Sequence, residues 1–172
     1  MDTRQDKQRR EALTLSEIVR AELYRALPSG GYGEPEAMEV EDLIVNNGRI
    51  FLARRIAGGD AQTAPGSAMA YMAVGTVSTA AVLTDTTLTG EVKRKALSAN
   101  SANVNNIYTA VTTFGGAADT VTSLQIQEAG IFNHASSGQG TMFQRVTFAT
   151  VTLADSDLLK VTLETNCGSN TI

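Results

Sequence analysis

The chain has no tryptophan, one cysteine, one histidine and three prolines in 172 residues, and each scarcity removes a class of protein. Cys167 stands alone, so no internal disulfide can form, and the pattern of a small disulfide-stapled secreted domain is absent. His134 has no second histidine to join it in a zinc site or in a His-rich metal cluster. Charged residues make up only 19%, and the net charge of -4 offers no broad attraction for nucleic acid. No apolar run approaches the roughly 20 residues needed to cross a membrane as a helix. The opening Met1-Asp2-Thr3-Arg4 has no apolar signal-peptide core behind it, so the expectation is synthesis in the cytoplasm and retention there until assembly. Aromatic residues are few, at 5%, which disfavours a carbohydrate site built on ring stacking.

What remains is rich in Thr, Ala, Ser, Asn and Gly, a polar but weakly charged mixture that suits a β-rich surface protein. The length fits one ordinary domain plus an appendage. Arg4, Lys7, Arg9 and Arg10 gather near the start, but Asp2, Asp6 and Glu11 lie among them, which reads as a solvated arm. Thr14 and Glu17 have capping-box spacing, flanked by Leu13 and Ile18 as a hydrophobic staple. Leu15, Ile18, Val19, Leu23, Ala26 and Leu27 recur at helical spacing, and Pro28-Ser29-Gly30-Gly31 stops the run. The spacing predicts an amphipathic helix, followed by a linker over 28–39. A single helix of that length is marginal in water, so its stripe must be covered. Two coverings stay open: another subunit, with Leu15, Ile18, Val19, Leu23 and Leu27 as contacts and Arg9 and Arg10 as polar partners, or the chain's own sandwich.

Residues 40–45 read as a short strand. Asn46-Asn47-Gly48 then reads as turn and cap before a helix over 49–57, with Ile50, Phe51, Ala53 and Ile56 toward a core. From residue 69 onward the pattern is β. Strands are expected over 69–74, 92–99, 104–114, 121–133, 141–149 and 157–165, with a turn near Asp85 and an Asn/Ser turn after Ala99. Leu159, Val161 and Leu163 alternate with Lys160, Thr162 and Glu164; Tyr108, Ala110, Thr112 and Phe114 share one side of their strand. Several short strands without long intervening helices predict a mainly β, antiparallel sandwich of jelly-roll-like type over 40–172, preceded by the arm, helix and linker of 1–39.

Candidate chemistry is sparse. With the hairpin centred between Ser136 and Ser137, Glu128 falls opposite Arg145 and Gly130 opposite Phe143, which predicts a structural cross-strand ion pair. His134 reads as an exposed turn residue, and Cys167 has no activating neighbour. Asp155-Ser156-Asp157 could offer oxygens to Ca²⁺ but lacks the longer ligand series of an EF-hand, so a turn is expected. The paired glycines match neither GxGxxG nor a GK[ST] loop. No catalytic, metal-binding or cofactor-binding residue is assigned.

The stretch from Met72 to Thr86 resembles a pattern of tailed-bacteriophage virion proteins, in which a strand ending in Val-Gly-Thr runs into a loop carrying Thr-Asp-Thr. The likeness continues through Leu88 and Glu91-Val92, Glu128-Ala129-Gly130-Ile131-Phe132 and the strand Met142 to Phe148, covering about 45–172. The resemblance implies a non-enzymatic capsid decoration (cement) protein on the outer shell, self-associating as a homotrimer and binding the major capsid protein, with no nucleic-acid or membrane partner. The alternative it leaves is a tail-fibre or tail-attached module presenting loops 76–90 and 134–140 to a host-surface receptor. A small virion hydrolase is the remotest reading.

Overall fold

Leu159, Val161 and Leu163 alternate with Lys160, Thr162 and Glu164, a period of two that sends the first three to one side of a strand. The computed structural model describes residues 16–56, 68–102, 107–116, 119 and 124–166. In it these three residues are fully buried. The strands are β1 (Ser16–Tyr24), β2 (Glu36–Glu41), β3 (Leu43–Ile44), β4 (Tyr71–Gly75), β5 (Glu91–Ala96), β6 (Ala99–Ala102), β7 (Ile107–Gly115), β8 (Gln125–Phe132), β9 (Met142–Thr152) and β10 (Leu158–Asn166); a helix, α1 (Asn46–Ile56), follows β3. They form two five-stranded sheets, ordered β2-β1-β10-β7-β6 and β3-β9-β8-β4-β5, antiparallel throughout. The chain is a mainly β sandwich, as its strand spacing predicts.

The inner faces meet in one core. Val19, Phe114, Leu159 and Val161 of the first sheet pack with Met72, Ile131, Val146 and Phe148 of the second. A second, smaller cluster of Val45, Ala73, Leu88, Phe132 and Met142 lies on the other face of the second sheet. Ala73, Phe132 and Met142 can be there only because strand alternation turns them away from Met72 and Ile131. Leu88 comes from the loop between β4 and β5, so this loop covers the outer face of the second sheet.

The N-terminal helix expected from spacing is a strand. β1 lies between β2 and β10, paired along its whole length with β10 from Ser16↔Asn166 to Tyr24↔Leu158. Val19, Ala21 and Leu23 face the core, while Ile18 is 47% exposed on the opposite side. The error has a physical source: a four-residue spacing, as between Val19 and Leu23, fits one face of a helix and one face of a strand alike. Ala21 distinguishes them, because it shares their face only at a period of two. Val19 and Leu23 are therefore core, not partner contacts, and Leu27 is an exposed turn residue. Pro28-Ser29-Gly30-Gly31 closes a hairpin: Leu27 and Gly31 bond across it, and both glycines adopt φ near +80° (85° and 82°). Of the linker expected over 28–39, residues 28–35 join two strands of one sheet and 36–39 belong to β2, so the sandwich takes in β1 and β2, ahead of the boundary expected at residue 40. Arg9, Arg10, Leu15 and Thr14 lie outside the described residues.

Two smaller differences follow from packing. The Asn/Ser segment after Ala99 is not a turn but the edge strand β6, tolerant of polar residues because all four are exposed. Asn46-Asn47-Gly48 forms the first turn of α1, which lies against β9; a Cβ at Gly48 would strike the Phe143 carbonyl. Ile50 is 47% exposed and not a core residue, whereas Leu52 packs on the core; the side chains of Phe51, Ala53 and Ile56 lie outside those described.

A pair of substitutions separates the two faces of β1. Val19→Asp is expected to cost several kcal/mol, on the order of 3 or more, by burying an unpaired carboxylate. Ile18→Thr should stay within about 0.5–1 kcal/mol, as surface changes do. Equal effects in urea denaturation would contradict the strand.

Candidate functional site

Glu128 lies on β8 and Arg145 on β9, both pointing to the outer face of the second sheet. They pair as expected, but in a different register. Gly130 is opposite Arg145 and Glu128 opposite Thr147, so the ion pair runs diagonally across the strands. The hairpin is centred one residue later than counted, between Ser137 and Gly138, with Gly138 and Gly140 at positive φ, and a bulge near Phe132 completes the shift. The guanidinium reaches Glu128 across this diagonal, with Nε at 2.9 Å and Nη2 at 2.8 Å from Oε2.

This pair is not on the surface. The Glu128 side chain is 0% and the Arg145 side chain 1% exposed, so each polar atom has to find a partner inside the protein. Arg145 Nη1 binds Asp85 Oδ2 at 2.7 Å, and its Nη2 donates to the Thr79 carbonyl at 2.9 Å and the Thr89 hydroxyl at 3.2 Å. The Glu128 carboxylate accepts the backbone N–H groups of Gly90 at 2.6 Å and Thr89 at 3.2 Å. Asp85 in turn accepts from Val82 N–H at 2.9 Å and closes the turn expected there. One ion pair thereby fastens the loop 76–90 at both ends and in the middle. A Cβ at Gly75 would collide with Glu128 Oε1 and the Gly90 carbonyl, so that strand end has to be glycine.

A second buried arginine does the same for the 133–141 loop. Arg94 makes a two-pronged pair with Glu91 at 2.8 and 2.7 Å, stacks 3.6 Å from the centre of the Phe132 ring, and donates to the carbonyls of His134 and Gln139. His134 is a half-buried turn residue whose Nδ1 accepts from Ser136 N–H at 3.1 Å. At the sandwich margin Asp119 holds Lys93 and Lys95 at 2.9 and 2.8 Å. Burial would raise the Asp119 carboxyl, but the two lysines and Gly115 N–H outweigh it and hold it low. Asp157 behaves alike. Burial opposes its charge, yet Ala26 N–H, Arg25 and Ala154 N–H keep its pKa below the usual carboxylate range. It makes the turn before β10, as expected of Asp155-Ser156-Asp157. Cys167 lies outside the described residues.

Sequence reasoning missed Asp42, at the β2–β3 corner. Its Oδ2 accepts from Gln144 Nε2 at 2.7 Å, and Gln144 Oε1 accepts from the Thr165 hydroxyl at 2.9 Å, linking the two sheets through the interior. No cation pairs with Asp42 among the described residues, and burial pushes its pKa up to about 6, against the opposing bonds from Leu43 N–H and Gln144. Its signal in the sequence was slight: one acid between an acidic strand and an apolar pair.

Among the described residues no three His, Cys, Asp or Glu side chains are placed to hold a metal ion, and no helix is long and apolar enough to cross a membrane. The buried charges are joined to one another and to loop backbone. What they accomplish is display: the tip Ala80, Val82 and Leu83 is held outward, with Val82 51% and Leu83 40% exposed. The Leu83 carbonyl accepts Asn46 N–H at 2.8 Å, which sets this tip beside the first turn of α1 and its exposed Ile50. No family model, curated protein or solved structure matches the chain.

Two outcomes follow for stability. Arg145→Leu strands Glu128 without its cation and should cost about 3–5 kcal/mol, whereas adding Glu128→Leu should recover part of that loss. No recovery in the double variant would contradict the coupling. For Asp42, the folded pKa lies above the unfolded one, so the folded form holds the proton more tightly and stability falls as pH rises from about 4 to about 6. Asp42→Asn removes that fall: its stability relative to the parent should grow by at most ~3 kcal/mol between pH 4 and pH 7. A gap that does not change with pH would contradict the assignment.

Proposed function

We propose that this chain is a structural protein of a tailed-bacteriophage particle, a capsid decoration protein attached to the outer shell as a homotrimer in contact with the major capsid protein. The resemblance of residues 45–172 to virion surface proteins motivates the choice of particle. The observation that carries the mating role is the pinned apolar tip. Val82 and Leu83 are exposed at the end of a loop whose carbonyls and amides are held by the fully buried Arg145 and Glu128. A loop fixed in advance loses little freedom on binding, and an exposed apolar pair on it can fill a pocket in a partner. Attachment to the assembled shell alone would then stabilise that shell by mass action. In this reading the chain has no catalytic residue and takes no cofactor, and the particle surface is where it works.

The 133–141 loop is held by Arg94 in the same manner, which also suits the alternative of a tail-attached module touching a host-surface receptor. Copy number separates the two: on the order of hundreds per particle for a shell protein, a few tens at most for a tail component.

The test is the double substitution Val82→Ser/Leu83→Ser. The thermal midpoint should move by no more than about 2–4 °C, since both side chains are already exposed. Binding to preassembled shells should weaken at least about tenfold, the effect of losing roughly 1.4 kcal/mol at a contact. Unchanged attachment by the folded variant would overturn the reading.

A further inference from the structure

The outer face of the first sheet is the other large surface of the sandwich, and its chemistry differs from the loop side. Arg20, Glu22, Glu39, Lys160, Thr162, Val111, Ile18 and Glu164 line a shallow groove of about 370 Å³ there. Two ion pairs cross it, Arg20 with Glu39 and Lys160 with Glu22. Glu41 and Glu164 make no ion pair among the described residues, although Glu164 lies near enough to Arg20 to favour its charge. Strand register places both directly beside Ile18, Glu41 on β2 and Glu164 on β10. An exposed apolar side chain is thus flanked by two carboxylates that take part in neither ion pair, at the end of the face where β1 begins.

Residues 1–15 precede that strand. They carry Arg4, Lys7, Arg9 and Arg10 against Asp2, Asp6 and Glu11, with Arg9 and Arg10 adjacent, then Leu13 and Leu15. Arg10 is six residues from Ser16, a reach of up to ~20 Å, while Ile18 is only about 7 Å into the strand. The geometry points to docking of this N-terminal segment on its own sheet, with Arg9 and Arg10 against Glu41 and Glu164 and the leucines toward Ile18. Exposed ion pairs are weak individually. Covalent attachment compensates, because a short tether raises the local concentration of the segment to the millimolar range. The face of the first sheet is then covered by the chain itself, leaving the loop side of the second sheet as the free surface. This inference does not depend on the particle assignment.

Paramagnetic relaxation in the full chain tests it, with a nitroxide on Gln5→Cys in a Cys167→Ser background. Broadening is expected on the amides of Ile18, Thr109 and Thr162, unchanged on dilution. It should fall several-fold when salt rises from about 0.01 M to about 1 M, which shortens the screening length from ~30 Å to ~3 Å. Arg9→Glu/Arg10→Glu should abolish it, and adding Glu41→Lys/Glu164→Lys should restore it in a protein whose spectrum shows the same fold. Three results would each overturn the proposal: no broadening above that of the β6 side, broadening indifferent to charge reversal, or broadening that appears on an unlabelled copy mixed with the labelled one. The last would mean docking between copies.

Discussion

A guanidinium with 1% exposure cannot be left to water, so every direction in which Arg145 can donate must end on an acceptor within the protein. That requirement organises one whole side of the molecule. Glu128 is equally buried and needs donors, which Thr89 and Gly90 supply from backbone N–H groups. Asp85 takes the remaining Nη1 on the solvent side of the network, where its side chain is 20% exposed. A loop of fifteen residues rich in Thr and Ala would ordinarily sample many shapes. Here its backbone is the hydrogen-bonding complement of one ion pair, and its shape follows from that pair.

Four short segments far apart in the chain meet at this point in space. Val-Gly-Thr contributes Gly75, where a side chain would displace Glu128; Thr-Asp-Thr contributes Asp85. Glu-Ala-Gly-Ile-Phe contributes Glu128, and Met-Phe-Gln-Arg-Val contributes Arg145. Far apart in the chain, they are chemically one unit, so their order carries more meaning than any tetrapeptide alone. Together they lock a loop onto a sheet. What the lock holds outward is the exposed pair Val82 and Leu83.

Strands that alternate strictly were legible from sequence: β10, and β7 with Tyr108, Ala110, Thr112 and Phe114 on the inner side. β1 was not, because Val19 and Leu23 satisfy both periods and a Thr/Glu capping pattern preceded them. Pairing with β10 and β2 decided it, and pairing is a tertiary effect that local propensity does not encode. The Glu128–Arg145 pair could be inferred from two charges in apolar strands and a hairpin centred between Ser136 and Ser137. Its register could not, since a bulge at Phe132 and the positive-φ glycines 138 and 140 shift the hairpin. Asp85, Thr89 and Gly90 were invisible as partners because long-range backbone contacts leave no spacing signal. Asp42 was hidden likewise: its link to Gln144 spans 102 positions.

The most direct measurement of the central claim is native-state hydrogen exchange at the amides of Thr89 and Gly90, which the Glu128 carboxylate accepts. If the buried pair fuses the loop to the sheet, these amides exchange only when the whole sandwich opens, with the same free energy as Ala129 and Ile131 in β8. Exchange of the loop amides through a separate local opening, several kcal/mol easier than that of β8, would contradict the account.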